Sequence, residues 1–174
     1  HSWDIDGRVL LCSSFSKSIA PGLRVGWVAP GRYHDKLLHM KYATSSFNVP
    51  SMQMAAATFV LEGHYHRHIR RMRQIYQRNL ALYTCWIREY FPCDIYITRP
   101  KGGFLLWIEL PEQVDMVCVA RQLYRMKIQV AAGSIFSASG KYRNCLRINC
   151  ALPLSETYRE ALKQIGDAVY RAME

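Results

Sequence analysis

Short apolar runs alternate with helical periodicity along this chain. Apolar runs of about five residues predict strands, whereas apolar residues recurring every three or four positions predict amphipathic helices. The clearest helix has Ile69, Met72, Tyr76 and Tyr83 on one side and arginines on another. The predicted strands cover residues 9–13, 25–29, 94–98, 104–110, 128–132 and 145–151, and the predicted helices cover residues 31–45, 50–61, 66–90, 115–126 and 155–173.

The element order predicts two unequal parts. In residues 1–62, strands and helices alternate, which is typical of the end of an α/β domain with a parallel sheet. Residues 63–174 read as a connecting helix followed by a smaller α+β domain. Gly63 separates the two parts, and Asp115 and Ser155 are suitable N-caps for the later helices. The predicted fold class is therefore α/β and α+β.

Composition narrows the class of protein but not its function. Half of the 174 residues are apolar, and no apolar run approaches the ~20 residues that cross a bilayer. The six cysteines form no CxxC pair, so we interpret them as reduced thiols of a cytoplasmic protein. The net charge of +10 is compatible with attraction to nucleic acid or anionic metabolites, and equally with a solvated basic surface.

The most specific chemistry lies in residues 13–27. Lys17 follows an apolar run among serines, including Ser14 and Ser16, and Arg24 comes seven residues later. A held, unprotonated lysine is a nucleophile, and an arginine can grip a phosphate with its two-pronged guanidinium. Together they point to pyridoxal 5′-phosphate, a phosphorylated aldehyde bound covalently by lysine. The alternative is a lysine on a surface turn.

The same segment resembles the cofactor motif of fold-type I pyridoxal-phosphate enzymes, the aspartate-aminotransferase superfamily. The segments 48–53, 100–107 and 145–151 also resemble motifs of this superfamily, so the resemblance covers essentially the whole chain. It implies that residues 1–62 are the end of the large cofactor domain and that residues 63–174 are the small domain. The resemblance implies that Lys17 carries the cofactor and that Ser14 and Arg24, assisted by Ser16, bind its phosphate. Residues 62–76 most resemble the aminotransferase-like domain of MocR-type regulators of the GntR family.

Two other groups of residues invite a chemical interpretation. Arg147 lies between apolar neighbours on a predicted strand, where it could bind a substrate carboxylate, pair with an acidic side chain or be exposed at a sheet edge. The resemblance favours the carboxylate. His64, His66 and His68 alternate on a predicted helix, where residues two apart diverge, so no metal site is predicted.

Two functions follow from the resemblance. The first is the C-terminal part of a cytoplasmic, homodimeric transcriptional regulator that senses pyridoxal phosphate, an amino acid or an amine, and contacts DNA through a preceding helix-turn-helix domain. The second is an aminotransferase acting between amino acids and 2-oxo acids. Because the family's other cofactor groups precede the lysine, we expect this chain alone to bind the cofactor poorly and to be inactive. An unrelated basic nucleic-acid-binding domain lacks a recognisable motif.

Overall fold

The computed structural model describes residues 3–45 and 47–174, so that residues 1, 2 and 46 lie outside it. Within the described residues the chain forms six β-strands and five α-helices. They belong to two compact units, which divide the sequence between Arg71 and Met72. Among the described helices, none combines the length and the apolar character needed to span a lipid bilayer.

In the first unit, two strands form an antiparallel pair. Strand β1 (Leu11–Ser14) lies beside β2 (Gly26–Ala29), with Ser14 opposite Gly26. The sequence predicted a parallel sheet here, and for this pair the prediction is wrong. A parallel crossover needs a dozen or more residues, usually with a helix, whereas residues 15–25 contain only two short 3-10 turns.

Two helices of the first unit follow this pair of strands. Helix α1 (His34–Ser45) begins later than predicted, because Gly31–Tyr33 form a 3-10 turn before it. Helix α2 (Pro50–Leu61) begins at its proline, which has no N–H to leave unpaired in the first turn. Gly63 follows with φ of 76°, a left-handed conformation that ends the helical run.

Helix α3 (His64–Tyr90) is the longest element and contains the division between the two units. Its extent agrees closely with the helix predicted at residues 66–90. The division at Arg71 lies inside this helix, whereas the sequence placed the boundary after residue 62. The assignment of the two parts to a large and a small domain stays a prediction.

The second unit contains a four-stranded antiparallel sheet in the order β3-β4-β6-β5. The central strands are β4 (Leu105–Glu109) and β6 (Cys145–Asn149), which approach their predicted lengths. The edge strands β3 (Tyr96–Ile97) and β5 (Ala131–Ala132) are shorter than predicted. An edge strand has a neighbour on one side only, so fewer backbone hydrogen bonds hold its ends in register.

One face of this sheet forms the core. Leu106 and Ile108 of β4 alternate with exposed or half-buried neighbours. In β6, Leu146 and Ile148 are buried on either side of the half-buried Arg147, and Cys145 is buried as well. They join one buried cluster with residues of α3 and of two further helices, α4 (Met116–Arg125) and α5 (Glu156–Arg171). The predicted caps are confirmed, because the side chains of Asp115 and Ser155 accept backbone N–H bonds at the starts of α4 and α5.

A buried asparagine joins α3 to the chain that follows β6. Asn79 is 3% exposed, and its Nδ2 donates to the carbonyl oxygens of Cys150 at 2.9 Å and Leu152 at 3.1 Å. A buried amide of this kind is tolerated because its hydrogen bonds are made. The two bonds hold the end of β6 against the helix.

Gly166 tests how closely α3 and α5 approach. A Cβ at Gly166 would overlap the carbonyl oxygen of Tyr90. Gly166→Ala should therefore lower the free energy of unfolding by about 1–3 kcal/mol through overpacking, although alanine favours an exposed helix by ~1 kcal/mol. Urea unfolding followed by circular dichroism measures the change. Gly102→Ala is the control, since nothing lies within 4 Å of its Cβ position; a neutral Gly166→Ala variant would contradict the close packing.

Candidate functional site

The turn that carries Lys17 is closed by hydrogen bonds across the ends of β1 and β2. The backbone N–H of Phe15 donates to the carbonyl oxygen of Val25 at 2.9 Å. The Ser14 hydroxyl accepts the N–H of Ser16 at 3.1 Å, and lies 3.5 Å from the same Val25 oxygen as a donor. The turn is thus set by the backbone and one serine, and its lysine is not needed to hold it.

Lys17 and Arg24 occupy the chain that joins the two strands. Both side chains are exposed, and neither forms a hydrogen bond or ion pair with any residue of 3–45 or 47–174. Arg24 has φ of 51° and ψ of 29°, the left-handed region that is costly for a residue with a side chain. A strained residue with an unengaged guanidinium is a reason to look for a ligand.

The two predicted serines differ in access. Ser14 is exposed, whereas Ser16 is 8% exposed. The first unit also has a cavity of about 520 Å³, which residues of β2 and α2 line together with Phe15 and Lys41. None of Ser14, Ser16, Lys17 and Arg24 lines this cavity. All four residues instead lie on the end of β1 and on the connection between β1 and β2.

Arg147 lies in the second unit, at the middle of β6. Its register partners are Trp107 on β4 and Ala131 on β5, so it occupies an inner strand of the sheet. It makes no ion pair with any residue of the described part. Its guanidinium carbon instead lies 4.4 Å from the ring centroid of Phe136. Neither the acidic partner nor the edge position considered from the sequence applies.

An aromatic cluster around Arg147 was not found from the sequence. The Trp107 ring meets Phe136 at 5.7 Å and Tyr142 at 5.5 Å, both edge to face. Phe136 ends a 3-10 turn, Gly133–Phe136, that starts where a side chain would overlap Tyr142 and Cys145. The sequence did not reveal this cluster because its ring contacts join residues that are far apart along the chain. The one local feature that could have indicated close packing here was Gly133. The cluster orients the guanidinium through a cation–π contact.

Arg147 also lines an open groove of about 730 Å³, together with residues of β6, α5 and the segment 126–131. Tyr83 lines the same groove, is 2% exposed, and its hydroxyl has no hydrogen-bond partner among the described residues. Burial raises the pKa of Tyr83 to about 12, and Cys150 and Tyr158 add to the shift. The hydroxyl is protonated at neutral pH, and it is buried without a hydrogen-bond partner among the described residues.

The three histidines of α3 do not converge. His64 lies 3.1 Å from a carboxylate oxygen of Glu62, and the rings of His64 and His68 both approach Phe59. Within residues 3–45 and 47–174, no group of three or more histidine, cysteine, aspartate or glutamate side chains could hold a metal ion.

Comparison with known proteins places the fold. Residues 2–165 match the model of the aminotransferase class I and II family. The chain belongs to this family. A solved structure of a multiple substrate aminotransferase from Thermococcus profundus superposes with a TM-score of 0.87 at 26% identity, and covers 98% of this chain and 43% of that one. The resemblance inferred from residues 13–27 and from the later motifs is confirmed at the level of the family.

Two further relatives of the aminotransferase class I and II chain differ in their roles. The HTH-type transcriptional regulator YjiR of Escherichia coli is 96% identical over 174 residues, which are all of this chain and 37% of that protein. LysN, an α-aminoadipate aminotransferase of Thermus thermophilus, was solved with N-(5′-phosphopyridoxyl)-L-leucine. It has 25% identity and a TM-score of 0.84, over 95% of this chain and 42% of LysN. The chain thus spans about two fifths of the proteins that it matches.

The left-handed backbone of Arg24 gives a stability test for this aminotransferase-family turn. Glycine relieves the strain and alanine keeps it, so Arg24→Gly should be more stable to urea than Arg24→Ala by about 1 kcal/mol. Arg8 is the control, because its φ is not positive. Arg8→Ala should therefore be at least as stable to urea as Arg8→Gly. An Arg24→Ala variant as stable as Arg24→Gly would contradict the left-handed conformation.

Proposed function

We propose that this chain is the C-terminal part of a pyridoxal-phosphate-binding effector domain in a transcriptional regulator of the MocR type. The observation that carries the proposal is the 96% identity, over the whole chain, to an HTH-type regulator. In the intact protein a helix-turn-helix domain precedes the aminotransferase-like domain and contacts DNA. The regulator works in the cytoplasm as a homodimer.

The side chains of the Lys17 turn fit the proposed cofactor. A phosphorylated aldehyde needs a primary amine to attach to and cationic or hydroxyl groups around its phosphate. Lys17 offers the amine, Arg24 the guanidinium and Ser14 an accessible hydroxyl, and neither cation is engaged with another described residue. We assign Lys17 as the attachment point, and Ser14, Ser16 and Arg24 as phosphate ligands.

When bound, pyridoxal 5′-phosphate supplies an electrophilic aldehyde and a ring that withdraws electrons from the attached nitrogen. The chain's own groups decide what that chemistry is used for. Lys17 Nζ would be the amine that holds the aldehyde group of the cofactor. Arg24 would neutralise phosphate charge with a guanidinium that no other described residue engages.

Arg147 supplies recognition of the effector. Its guanidinium is half-buried, without an acidic partner among the described residues, and lies over the ring of Phe136. A guanidinium in that state loses little on binding a carboxylate, since no existing ion pair has to break, and two parallel hydrogen bonds set its orientation. The favoured effectors are therefore amino acids, with amines lacking a carboxylate bound more weakly.

The alternative is an aminotransferase. The superposition on the Thermococcus profundus enzyme supports it, because Lys17 and Arg147 are also the groups that transamination requires. In that role Lys17 Nζ would carry the proton removed from the substrate carbon, and Arg147 would hold the carboxylate of an amino acid or 2-oxo acid. Fold alone does not separate the two functions. Alone, this chain should bind the cofactor poorly and be inactive in either case.

The attachment point is tested by borohydride reduction of the full-length protein in the presence of pyridoxal phosphate, followed by peptide mapping. The reduced label should appear on Lys17 and disappear in Lys17→Arg. Lys41→Arg is the matched control, because Lys41 lines the neighbouring cavity of the first unit and should not affect labelling. Label on Lys41, or on another lysine, would remove Lys17 from the proposal.

The regulatory function is tested by DNA binding. The full-length protein, loaded with pyridoxal phosphate, is bound to a genomic fragment that it selects from a random pool. L-leucine should change its affinity by about 5–150-fold, the usual range of allosteric coupling. The change should be lost in Arg147→Gln, while 3-methylbutylamine, which lacks the carboxylate, should act weakly on both proteins. Conversion of L-leucine to its 2-oxo acid without any effect on DNA affinity would favour the aminotransferase.

A further inference from the structure

Four arginines form a stripe along α3. Arg67, Arg70, Arg71 and Arg78 fall within roughly 100° of arc at 3.6 residues per turn, and all four are exposed. We call them the arginine stripe. With a rise of 1.5 Å per residue, the stripe is ~16 Å long. The buried positions of the same helix, Asn79, Tyr83 and Ile87, lie on its opposite side.

Among residues 3–45 and 47–174, no acidic side chain pairs with the stripe. The only acidic residue of α3 is Glu89, eleven residues after Arg78, and it pairs weakly with Arg159 at 3.8 Å. None of the four stripe arginines forms an ion pair with a residue of the described ranges. Their guanidinium groups are therefore available to an anion from outside the chain.

This arrangement costs the helix stability. Arg67 and Arg71 are four residues apart and Arg67 and Arg70 three apart, spacings at which like charges destabilise a helix by about 0.2–0.5 kcal/mol per pair. Cations near a helix N-terminus also oppose the helix dipole. Packing does not compensate, because the stripe is exposed. Charges that destabilise a helix without a compensating contact are expected on a functional surface.

We propose that the arginine stripe binds the sugar-phosphate backbone of duplex DNA, beside the site read by the helix-turn-helix domain. The proposal rests on the proposed regulatory function for the presence of DNA. All six cations of α3 are arginine and none is lysine, and the planar guanidinium matches a phosphate in two hydrogen bonds. Phosphates follow each other every ~3.4 Å of rise along one strand, so a ~16 Å stripe can give each arginine a different phosphate.

The DNA contact made by the stripe is independent of base sequence. Phosphate contacts set affinity and position, whereas base edges set specificity. The net charge of +10 adds general attraction, but only the stripe concentrates four unpaired cations on one helix face among the described residues. Removing the stripe should therefore weaken binding to operator and scrambled DNA alike, and leave the ratio of the two affinities unchanged.

The experiment measures the salt dependence of DNA affinity by fluorescence anisotropy. The full-length protein is compared with a variant carrying Arg67→Gln, Arg70→Gln, Arg71→Gln and Arg78→Gln. The slope of log affinity against log salt should fall in magnitude by about 3.6, or ~0.9 for each of the stripe's phosphate contacts. The control carries Arg121→Gln, Arg125→Gln, Lys163→Gln and Arg171→Gln, which removes the same charge from exposed positions of α4 and α5.

Folding does not confound the test, because removing like charges should leave the melting temperature of the stripe variant equal or higher. If that variant is unstable, Arg71→Gln alone should reduce the slope by about 0.9. A slope unchanged from wild type, or reduced equally in the control, would overturn the stripe while leaving the regulator intact. The same holds if only binding to RNA or to anionic vesicles weakens. A full-length protein that binds no DNA would overturn the regulator proposal and this one with it.

Discussion

The hydrogen bond from the Phe15 N–H to the Val25 carbonyl is the constraint on which the proposed cofactor site depends. It closes the chain between β1 and β2, so that the lysine and the arginine sit on one short antiparallel connection. The backbone makes this closure without either cation. The fold of this turn therefore does not require Lys17 or Arg24. At the left-handed position of Arg24, glycine would be more favourable for folding than arginine.

The second unit separates its core from Arg147, the proposed recognition residue, by the two faces of its sheet. Leu106, Ile108, Leu146 and Ile148 point into the core on one face. On the other, Arg147 lies against Phe136, and Trp107 packs against that ring. Because neighbouring residues of a strand point to opposite faces, a guanidinium can sit between two core residues without entering the core. This is why an arginine is tolerated in the middle of an inner strand.

Local patterns predicted the helices well and the contacts between elements poorly. The periodicity of α3 and the caps of α4 and α5 depend on residues within a few positions of each other, and these predictions are confirmed. The antiparallel pairing of β1 with β2 was missed, because strand direction is not encoded in an apolar run. The Phe136 contact with Arg147 was missed for a related reason, since it joins residues that only the folded sheet brings together.

The sequence predicted which residues form the candidate site, but not their conformation or burial. The spacing of Ser14, Lys17 and Arg24 pointed to a phosphorylated aldehyde, and the family match agrees with that chemistry. The positive φ of Arg24 and the burial of Ser16 could not be predicted, because both depend on how the turn closes. The arginines of α3 were visible in the sequence, but the structure was needed to show that they are exposed and that no acidic residue of the described part pairs with the four in the stripe.

A crystal structure of the full-length protein grown with pyridoxal phosphate tests the central claim most directly. The account predicts continuous density from Lys17 Nζ to the aldehyde carbon of the vitamin, with its phosphate against Ser14 and the Arg24 guanidinium. Density attached to another lysine, or a phosphate held away from Arg24, would contradict it.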